Sequence, residues 1–226
     1  VIASLSFETN DLEHFKQFND KEIPLIFFDR VDENSTNTKV IIDNYKCGYD
    51  ATQHLIDQGC KKIALITATL KRNVYEQRYK GYKKALSNNK LAYNKDLVLI
   101  KDLTEEGAIE AAKEILKMKP LPDGIFITND FKAAVCMKYL MKHGIKVPED
   151  IAIVGFNNDT ICKIVDPQLS TINYPGFQLG EITATNLVNH LKGISDLKTT
   201  QTIIVHSELI IRESSIKKRE NKRTKE

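Results

Sequence analysis

The sequence predicts an α/β fold built on doubly wound parallel sheets. Short runs rich in Ile and Val alternate with longer segments whose apolar residues recur at helical spacing. The short runs are apolar throughout rather than at alternate positions, so both of their faces are expected to be buried. Strands that alternate with helices in this way form parallel sheets covered by helices on both sides.

Ten strands are predicted from the apolar runs. They are Val1–Leu5, Pro24–Phe28, Val40–Ile42, Ile63–Thr67, Leu97–Ile100, Gly124–Thr128, Ile151–Gly155, Leu169–Ile172, Ile203–Val205 and Leu209–Ile211. Helical repeats lie between most of them, around Phe15, Leu55, Tyr82, Ala112, Met137 and Leu187. Thr104 is expected to cap the fourth helix, and Gly59, Gly144 and Gly193 are expected to end the second, fifth and sixth.

The composition is that of an ordinary globular protein. The 226 residues are 42% hydrophobic and 28% charged, with a formal net charge of +3, which by itself does not indicate a nucleic-acid surface. No apolar run approaches the roughly 20 residues that span a membrane, and no signal peptide is recognisable. The start lacks a Met and opens on strand-like residues, so we expect further sequence to precede it.

Signatures of catalysis and metal binding are missing from the sequence. Phosphate-binding, nucleophile-elbow and zinc-protease motifs do not occur, and the five histidines are isolated. The four cysteines have no CxxC spacing, which favours free thiols in a reducing cytoplasm over disulfides in an exported protein. We therefore expect neither an enzyme nor a cofactor.

Polar residues follow four of the predicted strands and one lies at the end of the first, at the edge where parallel sheets bind ligands. They are Ser6, Asp29, Arg72, Arg78, Asn129, Asp130 and Asn157. Carboxylates, amides and guanidinium groups suit a hydroxyl-rich small molecule. Each residue also has a structural explanation: Asp130 suits a helix N-cap, Asp29 could pair with Arg30, and Asn157 could open an Asx-type turn. Their recurrence at several strand ends favours a ligand cleft.

Five stretches in order resemble the effector-binding core of the LacI/GalR (lactose-repressor/galactose-repressor) transcription regulators. They are IIDNYKCGYDATQHLIDQGCKKIALIT, RYKGYKKAL, PDGIFITNDFKAA, GIKVPEDIAIVGFNND and DPQLSTINYP. The resemblance covers Val1 to about Arg212 and implies a type I periplasmic-binding-protein-like fold. In that fold two α/β subdomains are joined by three crossovers, with an effector between them.

The resemblance implies boundaries for these subdomains. Residues 1–43 and 175–198 would form the N-terminal subdomain, and residues 44–174 and 199–216 the C-terminal one. Residues 217–226 would be a basic disordered tail. The chain begins at what resembles the family's third strand, so the N-terminal subdomain would be incomplete and the helix-turn-helix headpiece absent. Operator DNA would then be bound only through that headpiece, and an uncovered strand edge or apolar patch would favour a homodimer.

The resemblance also assigns roles residue by residue. Asp29 matches the family's carboxylate, Arg78 its arginine, and Asn129 and Asp130 its Asn-Asp pair, whereas Asn157 stands where the family has aspartate. An amide both accepts and donates but carries no charge, so the preferred effector would differ from that of a plain sugar sensor. Leu70–Asn73 resembles the corresponding loop of purine-type repressors. A nucleobase is therefore an alternative to a sugar derivative as the effector.

Three functions follow from these observations as hypotheses. The leading one is a cytoplasmic allosteric sensor that couples a small effector to operator affinity. The second is an exported sugar-binding protein of a transporter. The third is a core whose corepressor is another protein.

Overall fold

The computed structural model, which describes residues 1–199 and 201–217, confirms the α/β prediction. A four-stranded parallel sheet has the order β1-β2-β3-β9, and a six-stranded sheet has the order β10-β8-β7-β6-β4-β5 with only β10 antiparallel. The strands are β1 (Ile2–Ala3), β2 (Ile26–Phe28), β3 (Thr38–Ile42), β4 (Ile63–Thr67), β5 (Val98–Ile100), β6 (Gly124–Ile127), β7 (Ala152–Asn157), β8 (Ser170–Asn173), β9 (Thr202–Val205) and β10 (Leu209–Ile210). Each overlaps one of the ten predicted strands.

Seven α-helices connect these strands within the described part of the chain. They are α1 (Glu13–Asp20), α2 (Asn44–Asp57), α3 (Asn73–Asn88), α4 (Glu105–Lys117), α5 (Asp130–Lys142), α6 (Ile161–Ile164) and α7 (Gly176–Leu191). Thr104 caps α4 as predicted, because its hydroxyl accepts a hydrogen bond of 3.1 Å from the Gly107 amide. Gly59, Gly144 and Gly193 follow three of the helices at φ of 90°, 87° and 71°. These angles suit glycine and explain why the helices end there.

The six-stranded sheet is buried on both faces. In β4, Ile63 and Leu65 face one apolar cluster, whereas Ala64 and Ile66 face the other. Side chains of a strand point alternately to opposite faces, so a strand covered on both sides must be apolar throughout. This packing accounts for the unbroken apolar runs in the sequence.

One strand belongs to a different sheet from the one its predicted subdomain implies. Thr202–Val205 was expected within the C-terminal subdomain, but β9 pairs in parallel with β3 in the four-stranded sheet. The chain moves to the six-stranded sheet only afterwards, where β10 pairs with β8. The third crossover therefore lies between β9 and β10, not near Lys198.

The predicted uncovered edge is present on the four-stranded sheet. β1 is an outermost strand, and 43% of the Ile2 surface is exposed. Within the described residues, no helix is long and apolar enough to cross a membrane. Apart from Lys217, the predicted basic tail lies outside those residues.

Candidate functional site

The carboxyl ends of strands from both sheets face a common cleft. Its cavity of about 670 Å³ is lined from the four-stranded side by Phe7, Asp29 and Arg30. The residues that line it from the other side include Tyr75, Arg78, Asn129, Asn157, Asn158 and Tyr174. Four of the predicted site residues, Asp29, Arg78, Asn129 and Asn157, are therefore brought together in one cavity.

Arg78 presents a buried guanidinium group to this cavity. Its Nε donates to Asn44 Oδ1 at 2.8 Å and its Nη1 donates to the Thr128 carbonyl at 3.1 Å. The guanidinium carbon lies 3.4 Å from the centroid of the Phe156 ring. Burial lowers the pKa of Arg78, but an arginine remains charged at neutral pH. Among the described residues no carboxylate lies within ion-pair distance of it, so its charge favours a ligand rich in hydrogen-bond acceptors.

Two glycines fix the position of Arg78 relative to α2. A Cβ atom at Gly48 would lie 2.7 Å from the Cα of Arg78, and one at Gly81 would lie 2.6 Å from the Tyr49 nitrogen. Only glycine permits so close an approach of two helices. The contact places the start of α2, with Asn44, directly beside the Arg78 side chain.

Asp29 reaches the cavity from the end of β2. Its backbone has φ of 58°, an uncommon value for a residue other than glycine. The carboxylate lies 3.8 Å from Arg30 Nε, so the predicted pairing is present. Burial raises the pKa of Tyr174 across the cavity, and the nearby Asp29 carboxylate adds to this effect. Asp29 can still accept hydrogen bonds from a ligand through its free lone pairs.

The GFNND stretch ends β7 in a constrained loop. Asn157 and Asn158 both have positive φ, 128° and 61°, which indicates local backbone strain. Three contacts hold Asn158: its amide donates to Thr171 Oγ1 at 3.2 Å, its Nδ2 donates to Asn173 Oδ1 at 3.0 Å, and its Oδ1 accepts from Arg212 at 2.8 Å. Strain of this kind persists where the surroundings over-determine a loop, as at many binding sites.

Three predicted site residues are not brought to the cavity. Asp130 is fully buried behind the loop, where it accepts from Thr171 Oγ1 at 2.7 Å and from the Asp159 amide at 2.9 Å. Ser6 is exposed and accepts from the Glu8 amide at 3.2 Å. Arg72 donates to the Thr9 carbonyl and lines a neighbouring cavity of about 420 Å³ instead. The three side chains therefore lie outside the cavity that the other four predicted residues share.

The sequence analysis also assigned the α5 N-cap to the wrong residue and missed several residues of the cavity. The α5 N-cap is Asn129, whose Oδ1 accepts from the Lys132 amide at 3.0 Å, rather than Asp130. The cavity is also lined by Phe7, Tyr75 and Tyr174, which were not predicted. The sequence does not distinguish an aromatic residue that lines a cavity from one that packs in the core. The sequence did not mark Asn44 as a site residue, because its role depends on a contact with Arg78 on another helix.

Groups for metal or nucleophilic chemistry are not gathered here. Within the described residues, no cluster of three His, Cys, Asp or Glu side chains could hold a metal ion. All four cysteines are buried, and burial raises the pKa of Cys60 to about 11 and that of Cys136 to about 12. Thiols with such pKa values are poor nucleophiles at neutral pH.

Comparison with known proteins then identifies the family. The profile of the periplasmic binding protein-like domain matches residues 52–215. The chain belongs to this family. The resemblance to LacI/GalR regulators is also confirmed by the relatives it matches. This chain is 30% identical over 215 residues to the NTD biosynthesis operon regulator NtdR of Bacillus subtilis (strain 168). The aligned region covers 95% of this chain and 64% of that protein.

Two further similar proteins are transcription regulators as well. The HTH-type transcriptional repressor PurR of Histophilus somni (strain 129Pt) is 33% identical over 216 residues, which cover 95% of this chain and 63% of the repressor. A structure of the transcriptional regulator CelR in complex with cellobiose superposes with a TM-score of 0.85 at 27% identity, covering 95% of this chain and 65% of that one. The periplasmic binding protein-like chain thus spans a little under two thirds of the length of these proteins.

Proposed function

We propose that this chain is the effector-sensing domain of a DNA-binding transcriptional regulator, most simply a repressor. It binds a small hydroxyl-rich molecule, such as a sugar or sugar derivative, in the cleft between the two sheets. The observation that carries the proposal is the convergence of Asp29, Arg78, Asn129 and Asn157 on one cavity of about 670 Å³. Acceptors, donors and a buried guanidinium in one cavity match the chemistry of such a ligand.

The comparisons support the regulatory half of the proposal. The three proteins described above are regulators, and one of them was solved with cellobiose. In this proposal the effector changes the relative positions of the two sheets, and this change alters operator affinity of a helix-turn-helix headpiece outside the present sequence. The site acts by binding in the cytoplasm, where the DNA is, and carries out no reaction.

A homodimer completes the proposal. A symmetric pair of chains would hold two headpieces at a fixed spacing, which two operator half-sites require. The described surface carries apolar side chains that a partner would cover: Phe131, Met141 and Ile164 are 46%, 38% and 71% exposed. Exposed apolar groups of this size, when clustered, are typical of an interface.

A thermal-shift screen against sugars, sugar phosphates, polyols and nucleobases tests the proposal. A ligand at 100 times its Kd should add about 2.7 kcal/mol to the free energy of unfolding. We expect Asp29→Asn to weaken the shift strongly, because it removes a charged acceptor while asparagine tolerates the positive φ.

Asp32→Asn is the matched control. Asp32 lies on the same loop but lines the neighbouring cavity, where its carboxylate accepts from the Asn34 amide at 3.0 Å. This variant should keep the full shift. If Asp29→Asn responded to the ligand as strongly as Asp32→Asn, the ligand would bind elsewhere and the proposed site would be wrong.

A further inference from the structure

The first two turns of α3 hold the loop that follows β2 from across the cleft. Helix α3 packs against α2 and β4, on the side of the six-stranded sheet, whereas Asp29 to Glu33 follow a strand of the four-stranded sheet. Contacts between them therefore join the two halves of the molecule at one rim of the cleft.

Asn73, the first residue of α3, makes the central contacts. Its Oδ1 accepts from the Val31 amide at 3.0 Å, and its Nδ2 donates to the Asp29 carbonyl at 3.2 Å. The residue is only 8% exposed, so its amide group depends on these two partners. One side chain thus uses both its acceptor and its donor across the cleft.

Neighbouring residues of α3 add to the same rim. Gln77, one turn later, donates to Glu33 Oε1 at 2.7 Å. The rings of Tyr75 and Phe7 stack with their centroids 6.0 Å apart and their planes at 22°. Arg72 donates to the Thr9 carbonyl. Every one of these contacts would break if the two halves moved apart at this rim.

We propose that Asn73 is a positioning residue that latches the cleft closed and holds Asp29 in place. It binds the Asp29 carbonyl, and the side chain of Asp29 lines the effector cavity. The position of that carboxylate and the closure of the cleft are therefore set by the same amide. The regulatory consequence of this latch rests on the proposed function. An effector that hydrogen-bonds to the Asp29 carboxylate favours the latched state, and the latched state in turn raises the affinity for the effector.

The latch can be measured without any effector, which separates its failure from that of the proposed function. Lys16 on α1 and Lys113 on α4 are exposed and lie on opposite halves, so each can be changed to cysteine and spin-labelled. The four native cysteines are buried and should not take the label. Electron–electron double resonance then reports the distance between the halves in solution.

Asn73→Ala should shift the distance distribution away from the wild-type value. Loss of two hydrogen bonds of ordinary strength should raise the open population by about tenfold. Asn88→Ala is the control, since Asn88 ends the same helix and donates at 3.3 Å to Tyr49 on the same half. It should leave the distribution unchanged. A folded Asn73→Ala protein with the wild-type distribution would overturn the proposal.

Amide hydrogen exchange of the wild-type protein gives a second test if Asn73→Ala does not fold. The Val31 amide, whose only acceptor in the described residues is Asn73 Oδ1, should exchange much more slowly than the Asn34 amide, which is held only within its own exposed turn. Exchange of Val31 as fast as that of Asn34 would show that the latch is open in solution and would overturn the inference.

Discussion

At the scale of single residues, Arg78 has two roles. It offers a guanidinium to the cavity, and it also supplies the donors for Asn44 Oδ1 and the Thr128 carbonyl. An alanine at this position would leave both buried acceptors unsatisfied, at a cost of about 1–3 kcal/mol each. Loss of ligand binding in that variant would not separate the two roles. Asp29, which is less buried, is the better position for a test of the site.

Lys132 carries a buried charge that the proposed function does not use. The residue is 1% exposed, its Nζ donates to the Lys101 carbonyl at 3.1 Å, and burial lowers the pKa of its ammonium group to about 8. We expect Lys132→Met to be more stable than the wild type at pH 7, by roughly 1–2 kcal/mol after loss of the hydrogen bond.

The pH dependence of that difference follows from the direction of the shift. The folded protein loses the Lys132 proton near pH 8, whereas the unfolded chain keeps it until about pH 10.4. The wild type therefore recovers stability as pH rises through this window, and the advantage of Lys132→Met shrinks. Urea unfolding at pH 7 and pH 10 checks this, with Lys113→Met on the exposed face of α4 as the control. An advantage that did not change with pH would contradict the prediction.

At the scale of elements, the crossing of α2 and α3 determines the position of Arg78. Gly48→Ala would push a methyl group against the Arg78 backbone, which cannot move aside as a side chain can. We expect a loss of about 2–3 kcal/mol in the free energy of unfolding.

Gly180→Ala provides the contrast for this prediction. Gly180 lies in α7 with no atom within 4 Å of the added Cβ, so alanine should stabilise the protein by about 0.5–1 kcal/mol. Chemical denaturation of the two variants measures both effects. Equal effects of the two substitutions would mean that the helix crossing is not tightly packed.

Local sequence patterns predicted the helix cap and the helix ends correctly. They could not predict features that depend on contacts between residues far apart in the sequence. The α4 cap at Thr104 and the helix ends at Gly59 and Gly144 follow from interactions within a few residues, so they were predicted correctly. The sheet to which β9 belongs depends on pairing with β3, more than 150 residues away, and no local pattern encodes that choice. Asp130 shows the same limit, because its partners Thr171 and Asp159 are distant in sequence.

At the scale of the whole molecule, the site and the connections between the two sheets are adjacent. The chain leaves the four-stranded sheet at the end of β3, and Asn44, the first residue after that crossover, binds Arg78. Tyr174 lies in the second crossover, between β8 and α7, and lines the cavity. A ligand that contacts Arg78 and Tyr174 therefore acts directly on the segments about which the two halves would move.

Two surfaces of the molecule could form the proposed dimer. The β1 edge of the four-stranded sheet leaves 43% of the Ile2 surface exposed. The other surface, on α5 and α6, exposes Phe131, Met141 and Ile164 and adjoins a groove of about 220 Å³ lined by Ala134, Met137 and Val165. We expect the dimer to form through α5 and α6, because these helices contact each other and offer aromatic and Met side chains, which are enriched at interfaces.

Light scattering at micromolar concentration decides between these surfaces. The wild type should have twice the mass of one chain, and Ile164→Lys should shift it to the monomer, because a buried ammonium without a partner is costly at an interface. Ile2→Lys, on the β1 edge, should remain dimeric. The opposite pattern would show that the dimer forms through the sheet edge. A monomeric wild type would contradict the proposed homodimer.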